Sequence, residues 1–382
     1  RQGLVIGQFV ASIIMIIGTV VIARQMDYMQ QKDLGYKKDQ IVIVETNKNT
    51  TLGNPVAAKF RAELNKYPKV ISSSVSLYSM AEIPWVHLDY KDDHGQVRDF
   101  LYNAIDANFV PTMGIKMVSG RNFAESNALD VAGTALVNET FVKAFNITDP
   151  IGKKLPGPFP QIIVGVMNDF NYESLHGKIQ PLILSVEAKA LMKYANDVNV
   201  NAPPQPRISI RLGAGNLSSN IDILKKAWAV AAPGQDLDYS FLDDTIAAQY
   251  RQEQRSSLVV RIASGLSVFI ACMGLFGLAT ITVARRVKEI GIRKVMGAGV
   301  GSIVQLLSID FVKLVLIAAI IASPVAWWAM NNWLKDFDYR IGVSWWIFIL
   351  AGGSAMLIAL VTVSYHSIKA AIVNPVKSLR SE

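Results

Sequence analysis

Four stretches of the chain are almost unbroken in apolar residues: 4–23, 258–283, 303–330 and 345–365. Each supplies the roughly 20 apolar residues a helix needs to cross the hydrocarbon layer of a bilayer. Between the first and second lies a polar stretch, residues 25–257, long enough for one large or two small soluble domains. There the pattern changes. Residues 40–45 (QIVIVE) alternate as a strand, 55–67 repeat with helical period, and 69–77 alternate again. The same strand, helix, strand order returns at 207–212, 217–231 and 237–242. Two β-α-β units at opposite ends of one stretch predict a split α+β fold whose sheet is completed from both ends. The expected fold is therefore four transmembrane helices with a large α+β extracytoplasmic domain inserted between the first and second.

The middle of that domain, about 81–155, is richer in turns. KDDHGQ at 91–96 reads as a hairpin tip, and 161–166 as a buried strand running into NDFNYESLH. Residues 196–206, with Pro203, Pro204 and Pro206, read as a loop. No long Gly/Ser linker divides the domain, so it is kept as one unit. RQMDYMQQKD (24–33) can prolong the first helix until Gly35. Asp243 or Asp244 can cap a helix that runs on into residue 258. Both spans are thus expected to reach outward as stalks. The expected division is 1–24, 25–257 and 258–284, then an inner helix at 285–301, 302–330, an outer loop at 331–344, 345–365, and a tail at 366–382.

Composition fits a membrane protein. The chain is 51% hydrophobic with only 18% charged residues, against roughly 25% in soluble domains, and its mean hydropathy is +0.29. Its first residue is Arg1, so it is read as a processed or excised piece. Residues 4–23 are read as a retained helix, because no small-residue cleavage site follows them. The single cysteine, Cys272, excludes an intrachain disulfide.

The net charge of +8 does not point to nucleic acid, because much of it flanks the spans. Arg285, Arg286, Lys288, Arg293 and Lys294, opposed by Glu289, follow the second span; Lys369, Lys377 and Arg380 follow the fourth. The positive-inside bias assigns both stretches to the cytoplasm. The loop between the third and fourth spans balances Lys335 and Arg340 against Asp336 and Asp338. Trp327, Trp328, Trp333, Trp345 and Trp346 flank it, as an aromatic belt at the outer face. Both termini are then cytoplasmic and the large domain lies outside the inner (plasma) membrane.

Catalytic chemistry is not expected. The sequence has no G-x-x-x-x-G-K-[ST] phosphate loop. GAGVG (297–301) reads as a helix break, not a dinucleotide fingerprint. His87, Asp89, Asp92, Asp93 and His94 read as a solvated hairpin, because nothing fixes a closed ligand set. No catalytic, metal or cofactor site is assigned. Asp310 and Lys313, at i, i+3 in the third span, are close enough to pair on one face. They read either as intramembrane functional charges or as groups at an interfacial entrance reaching the headgroups. Gly265, Gly274, Gly277, Gly352 and Gly353 read as sites of close helix packing, and Pro324 as a kink.

The segment 285–298, RRVKEIGIRKVMGA, sets basic Arg285, Arg286, Arg293 and Lys294 beside apolar Val287, Ile290 and Val295. A plain positive-inside loop explains the charges but not the apolar stripe. The segment resembles the cytoplasmic loop of FtsX/MacB-type ABC transporter permeases, a pattern of roughly E-R-x-x-E-I-G-x-R-x-x-x-G-A. Arg286, Glu289, Ile290, Gly291, Arg293, Gly297 and Ala298 fall on it, while Arg285 stands where that family is acidic. The chain end AAIVNPVKSLRSE is similar to that family's ending at Asn374, Pro375, Leu379 and Arg380. GRNF (120–123), LVNETFVKAF (136–145), PIGKKL (150–155) and VGVMNDF (164–170) resemble its periplasmic core domain. The opening RQGLVIGQFVASI resembles the second half of a duplicated permease, the alternative being a four-span half that dimerises.

The resemblance implies mechanotransmission: a separate cytoplasmic ABC ATPase dimer moves the segment containing Arg285, Arg286, Glu289, Ile290, Gly291, Arg293 and Lys294, and the stalks shift the outer domain. It also implies membrane lipid, a second permease half or homodimer, and a periplasmic adaptor with an outer-membrane channel as partners. The cargo would be a drug, peptide or lipoprotein. The same architecture suits a signalling protein that senses an envelope ligand or switches a cell-wall hydrolase.

Overall fold

The computed structural model describes residues 2–46, 55–81, 85–199, 206–286, 289, 292–293 and 296–372. The chain forms two compact units, Arg1–Gln31 with Gln252–Glu382, and Lys32–Arg251.

Among the described residues, the first unit contains four helices long and apolar enough to cross a membrane. They span Gln2–Gln31, Arg251–Arg285, Val300–Leu334 and Trp346–Ile372. Their core is one large stripe against two stripes of small residues. Val5, Phe9, Ile13, Ile17 and Val21 recur every four residues on the first helix. Ala318, Ala322 and Ala326 on the third, and Ala351, Ala355 and Ala359 on the fourth, are buried beside them. In lipid, hydrophobicity does not drive helices together, so small residues that admit close contact decide the packing. Alanines, not the glycines singled out by sequence, do most of this. A Cβ added at Gly265, Gly277 or Gly353 would meet nothing within 4 Å, whereas at Gly274 it would meet the Gln8 side chain and at Gly352 it would lie 3.8 Å from Ala319 Cβ. The second helix buries Ala271, Leu275 and Ala279 and leaves Ile262, Leu266, Phe269, Ile270 and Met273 exposed.

Gln25 is fully buried near the end of the first helix. Its Nε2 donates to the Tyr339 carbonyl at 2.8 Å, and its Oε1 accepts from Ile341 N–H at 2.9 Å. One side chain thereby pins the loop between the third and fourth helices.

The second unit is α+β. Its strands are β1 (Ile41–Glu45), β2 (Val70–Ser76), β3 (Val86–Lys91), β4 (Val97–Ala104), β5 (Met117–Gly120), β6 (Thr134–Asn138), β7 (Ile162–Met167), β8 (Leu182–Ser185), β9 (Asp197–Asn199), β10 (Arg207–Leu212) and β11 (Tyr239–Phe241). A four-stranded sheet has the order β11-β1-β10-β2, so chain from both ends of the domain builds it. Helices Pro55–Leu64 and Leu217–Ala231 cover its apolar face, where Phe60 meets Trp228 edge to face. The turn-rich middle does more than sequence alone indicated. It builds most of a seven-stranded mixed sheet of order β5-β7-β6-β8-β4-β3-β9.

Two further readings need correction. Residues 197–199 pair with β3 as a strand instead of joining the proline-rich loop, and Pro203 and Pro204 lie outside the described residues. The helix expected to run from Asp243 into the second span is broken. Leu242–Gln249 ends at Tyr250, and a new helix starts at Arg251. Neither aspartate is its N-cap, which is Phe241.

Asp130, 1% exposed, organises the GRNF corner. It accepts hydrogen bonds from Arg121 Nη1 and Nη2 at 2.6 and 2.9 Å, Ala124 N–H at 2.8 Å, Asn127 Nδ2 at 3.2 Å and Thr134 Oγ1 at 3.2 Å. The Arg121 guanidinium holds the Asp130 carboxyl below the usual carboxylate range. A folded-state value below the unfolded one stabilises at pH above the unfolded value, near 3.9, and the gain disappears as pH falls through the folded value. Asp130→Asn sets an amide N–H against those donors, at an expected cost of about 2 kcal/mol at neutral pH. Thermal melts of the two proteins across pH should show the gap closing below about pH 4.

Candidate functional site

Two places make up the candidate site, one in each unit. The first is the connection between the second and third membrane helices. Arg285 ends the second helix and is exposed. Glu289, Ile292 and Arg293 are helical; Gly297 (φ +91°) then turns the chain and Gly299 caps the third helix. Arg293 Nη2 lies 3.0 Å from Glu289 Oε1, an i, i+4 pair with both side chains about half exposed. Ile292 and Met296 are exposed apolar residues one turn apart. Ile290, Gly291 and Lys294, with Val287 and Val295 of the expected stripe, lie outside the described residues, as do Asn374, Pro375, Leu379 and Arg380.

Asp310 does not pair as its spacing suggested. Its Oδ2 lies 3.2 Å from Arg286 Nη2, and Lys313 is exposed. The reason is reach: the long guanidinium just beyond the second helix crosses to the third, and it offers a fork that a lysine one turn along the same helix cannot match. This ion pair fastens the connecting segment to the third helix.

The second place is where the chain enters and leaves the outer domain. The segment NDFNYESLH, residues 168–176, is the common seat of both. On the entering side, Asn171 N–H donates to the Leu34 carbonyl at 2.8 Å. Gly35 (φ +81°) presses so close that an added Cβ would lie 2.7 Å from the Asp169 carbonyl oxygen. On the leaving side, the Tyr250 hydroxyl accepts from Leu175 N–H at 2.9 Å, and the His176 ring stands edge-on to the Tyr250 ring. Gln249 Nε2 donates to the Ala81 carbonyl, and Ala81 N–H to that of Tyr172 at 2.9 Å.

Tyr36 lies close enough to Tyr250 to feel it, and burial drives the Tyr36 phenol far above its ordinary value. The seat itself is closely packed. Trp85 stacks on Tyr172 with ring centres 4.8 Å apart. Glu173 Oε1 accepts from Trp85 N–H at 3.2 Å; burial raises the Glu173 carboxyl, against the opposing pull of that hydrogen bond and of His87. Asp169 accepts from Thr140 N–H and Oγ1 at 2.9 and 2.8 Å. Sequence marked VGVMNDF only as a match of pattern. Its use depends on Gly35 and Tyr250, far away along the chain.

The hairpin expected at 91–96 is a closed turn. Asp92 accepts from His94 N–H, Gln96 N–H and Arg98 Nε, all near 3.0 Å. Among the described residues no group of three or more His, Cys, Asp or Glu is placed to hold a metal ion.

Four apolar helices carrying a mixed α+β domain between the first and second define a membrane protein with an extracytoplasmic domain. Residues 3–215 match the MacB-like periplasmic core domain family, and residues 261–375 the FtsX-like permease C-terminal family. The chain belongs to the FtsX/MacB-type permeases. It is 22% identical over 307 residues to the uncharacterized ABC transporter permease YknZ of Bacillus subtilis, covering 76% of this chain and 72% of that one. It is 23% identical over 287 residues to the macrolide export ATP-binding/permease protein MacB of Neisseria gonorrhoeae, covering 73% of this chain. There it spans only 43% of the relative's length. The periplasmic region of MacB from Actinobacillus actinomycetemcomitans aligns with a TM-score of 0.38 at 14% identity, covering 58% of this chain and 97% of that one.

Proposed function

We propose that this chain is the permease part of an ABC exporter that works by mechanotransmission. A separate ATPase dimer docks on residues 285–301 at the cytoplasmic surface. Arg285, Arg286, Glu289, Ile290, Gly291, Arg293 and Lys294 form its contact or hold its shape. ATP-driven closure of the dimer moves that segment, and the second and third helices move with it. The first and second helices deliver the motion to the 168–176 seat, and the outer domain drives cargo outward. The observation that carries this reading is the Arg286–Asp310 pair at 3.2 Å, which ties an exposed, cationic, partly apolar connection to a membrane helix. A loop serving only to set topology has no need of it.

The exposed apolar face of the second helix suits a second permease half or a second copy. A periplasmic adaptor and an outer-membrane channel complete the assembly where an outer membrane exists. Both termini and the tail at 366–382 are cytoplasmic in this arrangement.

The test is one of sidedness. With Cys272→Ser as background, single cysteines at Arg293 and at Asp93 are treated in intact cells with a membrane-impermeant maleimide. The Asp93 site is expected to react and the Arg293 site to react only after permeabilisation. Labelling of both from outside excludes an ATPase dock at 285–301.

A further inference from the structure

A cavity of about 370 Å³ opens where the third helix ends and the following loop begins. Trp327, Trp328, Asn331, Asn332, Lys335 and Arg340 line it. By connectivity this is the end of the membrane unit from which the chain continues into the outer domain, and the Gln25 bonds to Tyr339 and Ile341 hold the loop there.

The polar lining is rich in donors. It offers an ammonium, a guanidinium, two amide NH₂ groups and two indole N–H groups. Asp336 and Asp338 belong to the same loop but do not line the cavity. Lys335 Nζ reaches only the Asn332 amide oxygen, at 3.4 Å, and neither Lys335 nor Arg340 has a carboxylate partner among the described residues. A third cation, Arg24, sits at the same end with its guanidinium 4.9 Å above the Trp346 ring. These three cations gather at one end of the membrane unit, beside the tryptophans. Trp327 and Trp328 are 53% and 67% exposed and offer apolar faces beside the charges.

From this we infer that the cavity is a phospholipid site. Lys335 and Arg340 hold the phosphate of an outer-leaflet lipid, the asparagine amides bind its ester or glycerol oxygens, and the two tryptophans flank the start of its acyl chains. Arginine and lysine recognise phosphate by charge-assisted hydrogen bonds, and indole rings favour this depth. The bound lipid wedges the third helix against the loop, so headgroup composition tunes the outward end of the membrane unit. This does not depend on an ATPase or a cargo.

Native mass spectrometry of the full-length chain, delipidated in neutral detergent, tests it. Added phosphatidylglycerol is expected to remain bound through detergent removal. Diacylglycerol of the same acyl chains, which lacks the phosphate, is expected to be lost. Lys335→Gln with Arg340→Gln, both exposed and so tolerable to the fold, should lower the retained fraction at least about tenfold. Equal retention of the two lipids, or unchanged retention by the double variant, overturns the proposal. Displacement of the lipid by inorganic phosphate at equal concentration also overturns it, because the site would then read a free anion. The lipid comparison uses the unaltered protein and stands even if the variant misfolds.

Discussion

Exchanging two charges, Glu289→Arg with Arg293→Glu, is expected to abolish co-purification of the partner ATPase while the membrane unit stays folded. In the unaltered chain these side chains pair at 3.0 Å on a helical turn, each about half exposed. The exchange keeps an i, i+4 pair of opposite sign. Its cost to the helix is only about 0.5 kcal/mol, since the reversed orientation is slightly the poorer one. A docking partner, by contrast, meets both of these charges reversed, and like charges set together across an interface cost several kcal/mol. A loss of about 3 kcal/mol corresponds to more than a hundredfold in affinity.

Arg286→Glu alone is expected to behave differently. It sets two carboxylates together at Asp310 and releases the segment from the third helix. The ATPase should still bind, but its hydrolysis should no longer respond to the permease. Adding Asp310→Arg should restore that response. Unchanged co-purification after the Glu289/Arg293 exchange would show that no partner reads this face.

Gly35→Ala should destabilise the outer domain far more than Gly95→Ala. Both glycines have positive φ, +81° and +75°. Forcing an L residue into that region costs about 1–2 kcal/mol wherever it occurs. At Gly95, on the hairpin tip, a Cβ would meet nothing within 4 Å. At Gly35 it would lie 2.7 Å from the Asp169 carbonyl oxygen and 2.9 Å from Phe170 Cα, so backbone must shift. The extra cost is expected to be about 2 kcal/mol or more, as for other overpacked sites. At about 2–4 °C per kcal/mol for a domain of this size, melting of the full-length chain should fall by roughly 10 °C against about 4 °C for Gly95→Ala. The same substitution should also slacken the contact of Leu34 and Gly35 with NDFNYESLH. On the proposed mechanism, export should then be lost at temperatures where the domain is still folded. Equal shifts for the two variants would mean that the close approach at Gly35 carries no energy.

How far the chain could be read without coordinates depended on how local each signal was. The alternation in QIVIVE gave β1, and the helical repeat of 217–231 gave the helix Leu217–Ala231 to the residue. The late strand at 237–242 shortened to Tyr239–Phe241, which lies at the sheet edge. The break at Tyr250 left no such mark. It involves no glycine or proline; a buried phenol anchored to Leu175 N–H ends the helix there. The partner of Asp310 is hidden for a related reason. Its i, i+3 neighbour Lys313 is visible in sequence, while Arg286, 24 residues away, is adjacent only after two helices have packed.

By itself, then, the order of residues determined the number of spans, the inserted domain, its split strand pattern and the cationic segment 285–298. Each of these follows from a period, a run length or a charge imbalance within a short window. Tertiary structure alone decided which small residues form the helix seams, that NDFNYESLH receives both ends of the outer domain, and that the third helix is tied to its neighbour's end through Arg286. Those outcomes rest on side-chain reach and close approach between segments separated by many residues, and no local pattern encodes such distances.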